Sequence, residues 1–175
     1  MLYSETYHCN SGEQLDMSLS PLTAVSPIDG RYYEKTSPLN AFFSEFALIY
    51  HRIIVEIRWL ESLAEHPKLT EIPRLSPKAK QILDDILKNF CEADAILIKK
   101  IEARTNHDVK AVEYFLKQTF QSHPELVGVS EFIHFACTSE DINNLAYGLM
   151  LQSARTQIVS PLVNDIVTAL TEQAV

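Results

Sequence analysis

The chain has 175 residues, of which 46% are hydrophobic and 22% are charged, and this length and composition are typical of a folded domain with its own core. Its formal net charge is -8 at pH 7 and it has no basic stripe, so we do not expect it to bind nucleic acid. It also lacks a run of about eighteen apolar residues, so we expect no membrane-spanning helix.

The three cysteines are widely spaced and form no CxxC pair. An odd number at such spacing favours reduced thiols over a disulfide framework, as is usual in the cytoplasm. Residues 1–20 are polar and lack the basic segment and apolar block of a signal peptide. We therefore expect a cytoplasmic, soluble protein whose residues 1–20 form a flexible leader.

The first helical signal is Ser37 followed by Pro38, an N-cap with proline at the first helical position. Apolar residues then recur every three or four positions as far as Ala64, which predicts one long amphipathic helix. Ser76 and Pro77 repeat the same start signal before a second periodic run, so a second helix is expected to begin there.

Four further helical stretches follow, at 92–103, at 108–120, at 126–135 and from Ser139 to the end of the chain. Pro161 is expected to kink the last of these helices. Alternating strand patterns are absent, so the predicted fold class is all-α. The predicted buried stripe of the last helix consists of Ile142, Leu145, Leu149, Ile158, Leu162, Ile166 and Leu170.

Two helix starts carry polar residues that suit an anion. Asn106 is a good N-cap, Asp108 lies in the first helical turn, and His107 between them is expected to be a neutral ring that donates or accepts. Thr138 and Asp141 have the spacing of a capping box. Free N–H groups at two such starts indicate a substrate with more than one anionic group. Simple capping, with an exposed loop histidine, explains the same residues without a ligand.

Other polar residues have two interpretations each. Arg31 offers a fork to a phosphate and Tyr32 adds a phenol donor, although an ordinary surface arginine fits equally. Lys110 lies one turn into its helix and either faces the same cleft or is solvated. His134 and Cys137 supply only two potential zinc ligands, so we expect core packing or a supporting hydrogen bond rather than a metal site.

Three segments resemble a known enzyme family. Residues 134–144 (HFACTSEDINN), 105–115 (TNHDVKAVEYF) and 26–32 (SPIDGRY) resemble bacterial adenylosuccinate lyases, which belong to the fumarase/aspartase superfamily. The resemblance implies that 21–136 is an N-terminal helical domain. Residues 137–175 are then the opening helix of a long central helical bundle, and the chain stops within that bundle.

By this resemblance, the whole enzyme eliminates fumarate from adenylosuccinate, giving AMP, and from the succinylated aminoimidazole carboxamide ribotide of purine biosynthesis. No cofactor and no metal are required. The principal catalytic acid and base of the family lie on later segments, and each active site draws residues from three subunits of a homotetramer. The resemblance therefore implies that this chain alone does not complete the reaction.

The resemblance also assigns substrate-binding roles. Arg31 and Tyr32 would bind the nucleotide phosphate. The pocket would be lined by Asn106, His107 and Asp108, with His107 as an auxiliary proton-handling group. Thr138 and Ser139 would hold a carboxylate. Two asparagines, Asn143 and Asn144, would support their segment through hydrogen bonds to neighbouring helices.

Two alternatives remain at this point. The first is another succinyl-substrate lyase of the same superfamily, such as fumarase or argininosuccinate lyase. The second is a non-catalytic helical module that uses its apolar stripes to bind partner helices or to form oligomers.

Overall fold

The computed structural model describes residues 20–174, and every regular element within them is helical. The predicted all-α class is therefore confirmed, while the predicted leader at 1–20 lies outside the described residues except for Ser20. The helices are α1 (Tyr33–Thr36), α2 (Asn40–Phe43), α3 (Glu45–Glu65), α4 (Pro77–Asn89), α5 (Glu92–Thr105), α6 (Asp108–Phe120), α7 (Pro124–Val127), α8 (Ser139–Ala154) and α9 (Ser160–Gln173).

Local capping chemistry places several helix starts where the sequence predicts them. Ser76 accepts the N–H of Ala79 at 3.1 Å, and Pro77 occupies the first turn of α4. Glu125, at the start of α7, accepts the N–H and the hydroxyl of Ser76, both at 2.7 Å. These bonds tie the starts of α4 and α7 together. The predicted starts of α6 and α8 are likewise confirmed.

The prediction of one helix from Pro38 to Ala64 is wrong at its beginning. A 3-10 turn at Ser37–Leu39 and the short α2 come first, and the backbone is extended at Ser44 (φ -70°, ψ 163°). The Ser44 side chain accepts the N–H of Ala47 at 3.2 Å and so begins a new helix, α3. Serine binds nearby backbone readily, which favours this break although the apolar period continues through it.

The prediction of a helix at 126–135 is also wrong. The segment contains only the short α7 and a 3-10 turn at Ser130–Phe132. It then has left-handed backbone at His134 (φ 63°) and Ala136 (φ 59°). A right-handed helix cannot pass through such residues, and their conformation is uncommon for side chains other than glycine.

Helix α3 forms the centre of the hydrophobic core. Its residues Ile49, Ile53, Ile57 and Leu60 are buried and pack with apolar residues of α4, α5 and α6. A second cluster joins α3 to α8 through Val55 and Ile142, among others. Because α3 contacts both α6 and α8, it positions the two helix starts that the sequence marks as a candidate site.

The predicted buried stripe of the last helix is wrong except at Ile142. The buried residues of α8 are Ile142, Ala146, Met150 and Ala154, while every described residue of α9 is exposed and Ile158 is half-buried. The stripe residues that are exposed are Leu145, Leu149, Leu162, Ile166 and Leu170. Ile142 and Ala146 pack against Val55 of α3, so this face of α8 is covered, while Leu145 and Leu149 remain exposed.

A π-helical turn at Arg155–Val159 separates α8 from α9 and lies just before Pro161. Proline lacks the N–H of a regular helix and its ring clashes with the carbonyl four residues earlier, which explains an irregular turn at this place. The sequence predicts a kink at Pro161, and the structure has a π-helical turn just before it.

The described residues fall into two units, divided between Ser37 and Pro38, and each is described separately. The predicted boundary between 21–136 and 137–175 stays a prediction. No helix within 20–174 combines the length and the apolar character needed to cross a membrane.

Candidate functional site

The start of α6 differs in detail from the prediction. Asn106 is not the N-cap of α6; it ends α5 in the left-handed conformation (φ 51°, ψ 36°), and its N–H donates to the carbonyl of Glu102 at 2.7 Å. Asparagine tolerates this conformation better than most residues, which favours it at a helix end. The N-cap is His107, whose Nδ1 accepts the N–H of Lys110 at 3.2 Å.

This cap determines the tautomer of His107. Because Nδ1 accepts a hydrogen bond, the neutral ring carries its proton on Nε2 and presents Nε2–H as a donor. Oδ1 of Asp108 lies 3.8 Å from Nδ1, too far for a hydrogen bond that would compete with the cap. His107 is exposed, so a ligand has access to this donor.

The start of α8 is a complete capping box. Oδ2 of Asp141 accepts the N–H of Thr138 at 2.7 Å and its hydroxyl at 2.8 Å, and Oγ1 of Thr138 lies 3.4 Å from the N–H of Asp141. These bonds, with the Thr138 N–H the largest cause, lower the pKa of Asp141. The Thr138 hydroxyl therefore serves the cap.

Ser139 is the better-placed hydroxyl of the predicted pair. Within residues 20–174, its side chain has no hydrogen-bond partner, and neither have the N–H groups of Ser139 and Glu140. Unpaired N–H groups in the first turn lie at the positive end of the helix dipole. The start of α8 thus offers one hydroxyl and two backbone donors to an anion.

Arg52 fastens the starts of α6 and α8 to each other. This α3 residue is buried, with 4% of its surface exposed. Its Nη2 donates to Oδ2 of Asp108 at 2.6 Å, and its Nε donates to Oδ1 of Asn143 at 2.9 Å. Asp108 and Asn143 therefore support the site through bonds to a neighbouring helix, and the two predicted segments are brought together.

Asp108 is an ionised carboxylate in the folded chain. Partial burial acts to raise the pKa of Asp108, but the N–H of Val109 and the Arg52 guanidinium outweigh it, so the pKa lies below its ordinary value. The carboxylate is therefore committed to structure within the site, and its negative charge is neutralised by Arg52.

One turn along α3, Glu56 holds the loop that leads into α8. Glu56 is fully buried, and its Oε1 lies 2.6 Å from Nδ1 of His134. Burial raises the pKa of Glu56, and His134 opposes this effect. Trp59, also on α3, donates from Nε1 to the carbonyl of Phe135 at 2.8 Å. The bond to Glu56 gives His134 a supporting hydrogen bond, one of the two roles that the sequence suggested for it.

Sequence reasoning missed Arg52 and Glu56. Their signal is the presence of two charged residues, four positions apart, on the face of α3 that otherwise carries Ile49, Ile53 and Leu60. Charged residues are rarely buried unless they are paired, so this interruption of an apolar stripe indicates buried polar partners elsewhere in the chain.

Arg31 and Tyr32 belong to the first unit and are exposed. The Arg31 guanidinium lies 4.8 Å from the centre of the Tyr32 ring, a cation–π arrangement. A Cβ at the preceding Gly30 would lie 2.8 Å from the carbonyl of Pro21, so glycine is required here by close packing. The participation of Arg31 and Tyr32 in a common site with the second unit stays a prediction.

Lys110 is engaged locally. Its Nζ donates to Oε2 of the buried Glu113 at 2.7 Å and lies 5.5 Å from the centre of the Tyr114 ring. These contacts favour a structural role for the lysine. Across the described part of the chain, no three His, Cys, Asp or Glu side chains are grouped so that they could hold a metal ion.

Comparison with known proteins agrees with the resemblance. Residues 30–175 match the family model described as Lyase. The chain is 56% identical over 158 residues to the adenylosuccinate lyases of Haemophilus influenzae and Vibrio cholerae, and these matches cover 90% of this chain and 35% of each relative. It is 53% identical over 159 residues to the adenylosuccinate lyase of Escherichia coli K12, covering 91% of this chain and 35% of that protein.

The chain thus spans about a third of the length of the curated relatives that it matches. The matched region contains α3, the starts of α6 and α8, and the bonds from Arg52 that join them. Because the family match covers most of the residues and all of this second-unit site, the chain belongs to the lyase family.

Proposed function

We propose that this chain supplies substrate-binding elements of an adenylosuccinate lyase, a C–N lyase that eliminates fumarate from adenylosuccinate and from the succinylated aminoimidazole carboxamide ribotide of purine synthesis. The observation that carries the proposal is the bridge from Arg52 to Asp108 and Asn143. It joins two helix starts with anion-binding chemistry, and relatives that match about 90% of the chain are named adenylosuccinate lyases.

The chemistry of the reaction matches the donors on this chain. A base removes the proton next to a succinyl carboxylate, negative charge develops on that carboxylate, and the C–N bond then breaks as the departing nitrogen is protonated. Donors aimed at the developing charge stabilise the transition state. In the proposal, the Ser139 hydroxyl and the free N–H groups at the start of α8 bind this carboxylate.

His107 and Arg31 have separate roles in the proposal. The Nε2–H of His107 donates to the succinyl part of the substrate, or handles a proton beside it, as an auxiliary to the principal acid and base. Arg31 and Tyr32 bind the phosphate of the nucleotide, where the planar guanidinium pairs with two oxygens. Asn106 and Asp108 shape the pocket through the backbone turn and the bond to Arg52. The reaction as proposed uses no cofactor.

The proposal includes a cytoplasmic homotetramer. On α9, large apolar side chains at Leu162, Val163, Ile166, Val167 and Leu170 are each more than half exposed. Contiguous apolar patches of this kind mark surfaces that other protein chains cover. The proposed cover is the equivalent helix of further copies of the whole enzyme, whose later segments would also bring the principal catalytic residues next to the starts of α6 and α8.

A chimera tests the proposal. In it, this chain replaces the segment that it matches in the adenylosuccinate lyase of Escherichia coli K12. We expect the chimera to release fumarate from adenylosuccinate, followed spectrophotometrically, and the 175-residue chain alone to release none. A chimera that folds and assembles but acts on argininosuccinate or malate, and not on adenylosuccinate, would contradict the substrate assignment.

The competing interpretation as a non-catalytic module has a distinct outcome. If the chimera is inactive on every succinyl-type substrate while the chain alone forms a defined oligomer, the interaction module is supported instead. Ser139→Ala in an active chimera distinguishes a binding role from a structural one. It should lower kcat/KM by roughly 10- to 100-fold, the effect of losing a hydrogen bond to a charged group, without changing the helical signal.

A further inference from the structure

Glu56 is an unusual residue for the centre of a hydrophobic core. It is fully buried, and its Oε2 is a buried oxygen without a hydrogen-bond partner within the described residues. Native proteins contain few such atoms, and each costs stability. Oε1 makes a single short bond, to Nδ1 of His134 at 2.6 Å. A carboxylate retained at this cost, with one partner, indicates a role beyond packing.

The partner of Glu56 lies in strained backbone. His134 and Ala136 both have positive φ, and the residue between them is held by the bond from Trp59 to the Phe135 carbonyl. Residues in sparsely populated backbone regions persist only where their surroundings hold them there. The chain leaves this turn directly into Thr138 and the start of α8, so the position of that start depends on the turn.

The charged groups around the pair are few. Burial is the main cause that raises the pKa of Glu56; His134 acts to lower it, and Glu113 on α6 adds to the rise. Burial, and then the charge of Glu56, raise the pKa of the Cys137 thiol. His134 also makes the smallest of the contributions that lower the pKa of Asp141, whose main cause is the N–H of Thr138 in the capping box of α8. The imidazole, with 20% of its side chain exposed, thus bonds to the buried carboxylate and belongs to the turn that immediately precedes Thr138, the N-cap of α8.

We propose that Glu56 is a positioning residue of the lyase site: its carboxylate accepts the Nδ1–H of His134, holds the left-handed turn at 134–136, and thereby places the start of α8. A carboxylate on Nδ1 fixes the ring orientation and leaves Nε2 unprotonated in the neutral ring. Because Oε2 has no partner within the described residues, the bond from Oε1 to His134 is the one that orients the carboxylate there. This inference extends the proposed function to a residue that touches no substrate.

The first test measures the tautomer of His134 in the chain itself by ¹⁵N NMR, with His134→Asn identifying its signals; asparagine tolerates the left-handed backbone. We expect Nδ1–H in the wild type and a mixture of tautomers in Glu56→Gln. Glu113→Gln is the matched control, because Glu113 is also a buried carboxylate, 4% exposed, but bonds to lysines. A wild-type ring protonated on Nε2, or a tautomer unchanged by Glu56→Gln, overturns the proposal.

The second test separates positioning from simple stabilisation. In the chimera, Glu56→Gln should lower kcat/KM by about 10- to 100-fold, the size of effect that loss of an orienting carboxylate has on metal-bound histidines. The melting temperature should stay equal or rise, because burial disfavours the charged form of Glu56 and glutamine keeps the shape of the side chain without the charge. Glu56→Asp, which keeps the charge, should recover part of the activity. A variant with lowered melting temperature and full activity per folded molecule overturns the proposal.

A double-variant cycle completes the design. If Glu56 acts through His134, Glu56→Gln combined with His134→Asn should be no less active than His134→Asn alone. If the double variant lost activity by the product of the two single-variant factors, the two residues would act independently and the proposal would be overturned. An inactive wild-type chimera refutes the proposed function, whereas the tautomer measurement on the chain still decides whether Glu56 orients His134.

Discussion

Arg52 donates to Asp108 across 56 positions of sequence, and this 2.6 Å bond fixes the start of α6 to the central helix. The two ends of the bond differ in environment, since the side chain of Arg52 is 5% exposed and that of Asp108 is 45% exposed. The buried guanidinium depends on its two acceptors, whereas the carboxylate keeps contact with solvent. Loss of the arginine therefore affects both helix starts.

Arg52→Ala should lower the free energy of unfolding of the chain by about 2–3 kcal/mol, because it removes charge-assisted hydrogen bonds and packing in the core. Urea unfolding followed by circular dichroism measures this. The matched control is Arg58→Ala on the same helix, where Arg58 also bonds to two carboxylates, Glu61 and Asp84, but is half exposed. The control should cost no more than about 1 kcal/mol. Equal losses would show that the Arg52 bridge adds nothing.

Thr138→Ala should lower the free energy of unfolding by about 1 kcal/mol, because it removes the hydroxyl of the capping box at the start of α8. Thr138→Ser should cost little, since the hydroxyl is kept. Thr156→Ala is the comparison: its hydroxyl bonds to the Gln152 carbonyl within a helix, and its loss should change the free energy by less than about 0.5 kcal/mol. A Thr138→Ala chain as stable as the wild type would show that the box is dispensable.

Stability should fall in acid. Asp108, Asp141 and Glu125 have lowered pKa values in the folded chain. Each such carboxylate stabilises the fold above its unfolded pKa, about 3.9–4.3, and this contribution is lost as the pH falls through the folded pKa. Asp141→Asn should therefore flatten the decrease in melting temperature below about pH 4. If Asp141→Asn left the decrease in melting temperature below about pH 4 unchanged, the pKa of Asp141 would not be lowered in the folded chain.

Glu56 should have the opposite effect on pH dependence. Its pKa is raised mainly by burial, so the folded chain binds its proton more tightly than the unfolded chain does. Its contribution therefore lowers stability as the pH rises from about 4.3, the unfolded value, towards the folded pKa. Glu56→Gln removes this loss. The melting temperature of the variant minus that of the wild type should therefore increase between pH 4 and pH 7. A difference that decreases over this range would show that the pKa of Glu56 is not raised.

His107→Ala in the chimera should lower kcat/KM by roughly 10- to 100-fold, because the Nε2–H donor to an anionic substrate is lost. His66→Ala is a close structural control: Nδ1 of His66 accepts the N–H of Lys68 at 3.3 Å, as Nδ1 of His107 accepts that of Lys110. His66 lies outside the matched motifs and its variant should keep wild-type kinetics. Similar losses in both would identify the His107 effect as local structure.

Arg31→Ala in the chimera should raise KM and leave kcat nearly unchanged, because the proposed phosphate contact is remote from the bond that breaks. Arg31→Lys should recover only part of the affinity, since an ammonium lacks the planar fork. Arg74→Ala, another exposed arginine, is the control and should leave KM unaltered. A fall in kcat with unchanged KM would place Arg31 elsewhere in the mechanism.

Helix starts were the most predictable part of the fold. Ser76 with Pro77, and Thr138 with Asp141, act within three or four residues of one another, so the sequence contains the whole interaction. The same reasoning failed at Asn106, because asparagine suits both the end of one helix and the start of the next. Only the left-handed backbone between α5 and α6 decided in favour of the end of α5 and made His107 the cap.

The sequence by itself determined the all-α class, the residue types at the two helix starts and the family resemblance, because these depend on local chemistry and on contiguous motifs. Tertiary structure decided which apolar face is covered, and it buried Ala146 and Met150 while leaving Leu145 exposed. It also decided the bonds from Arg52 and Glu56, which join residues 56 to 91 positions apart. Local periodicity shows that a face is apolar, but the partner that covers it, or that pairs with a buried charge, is set by the packing of distant helices.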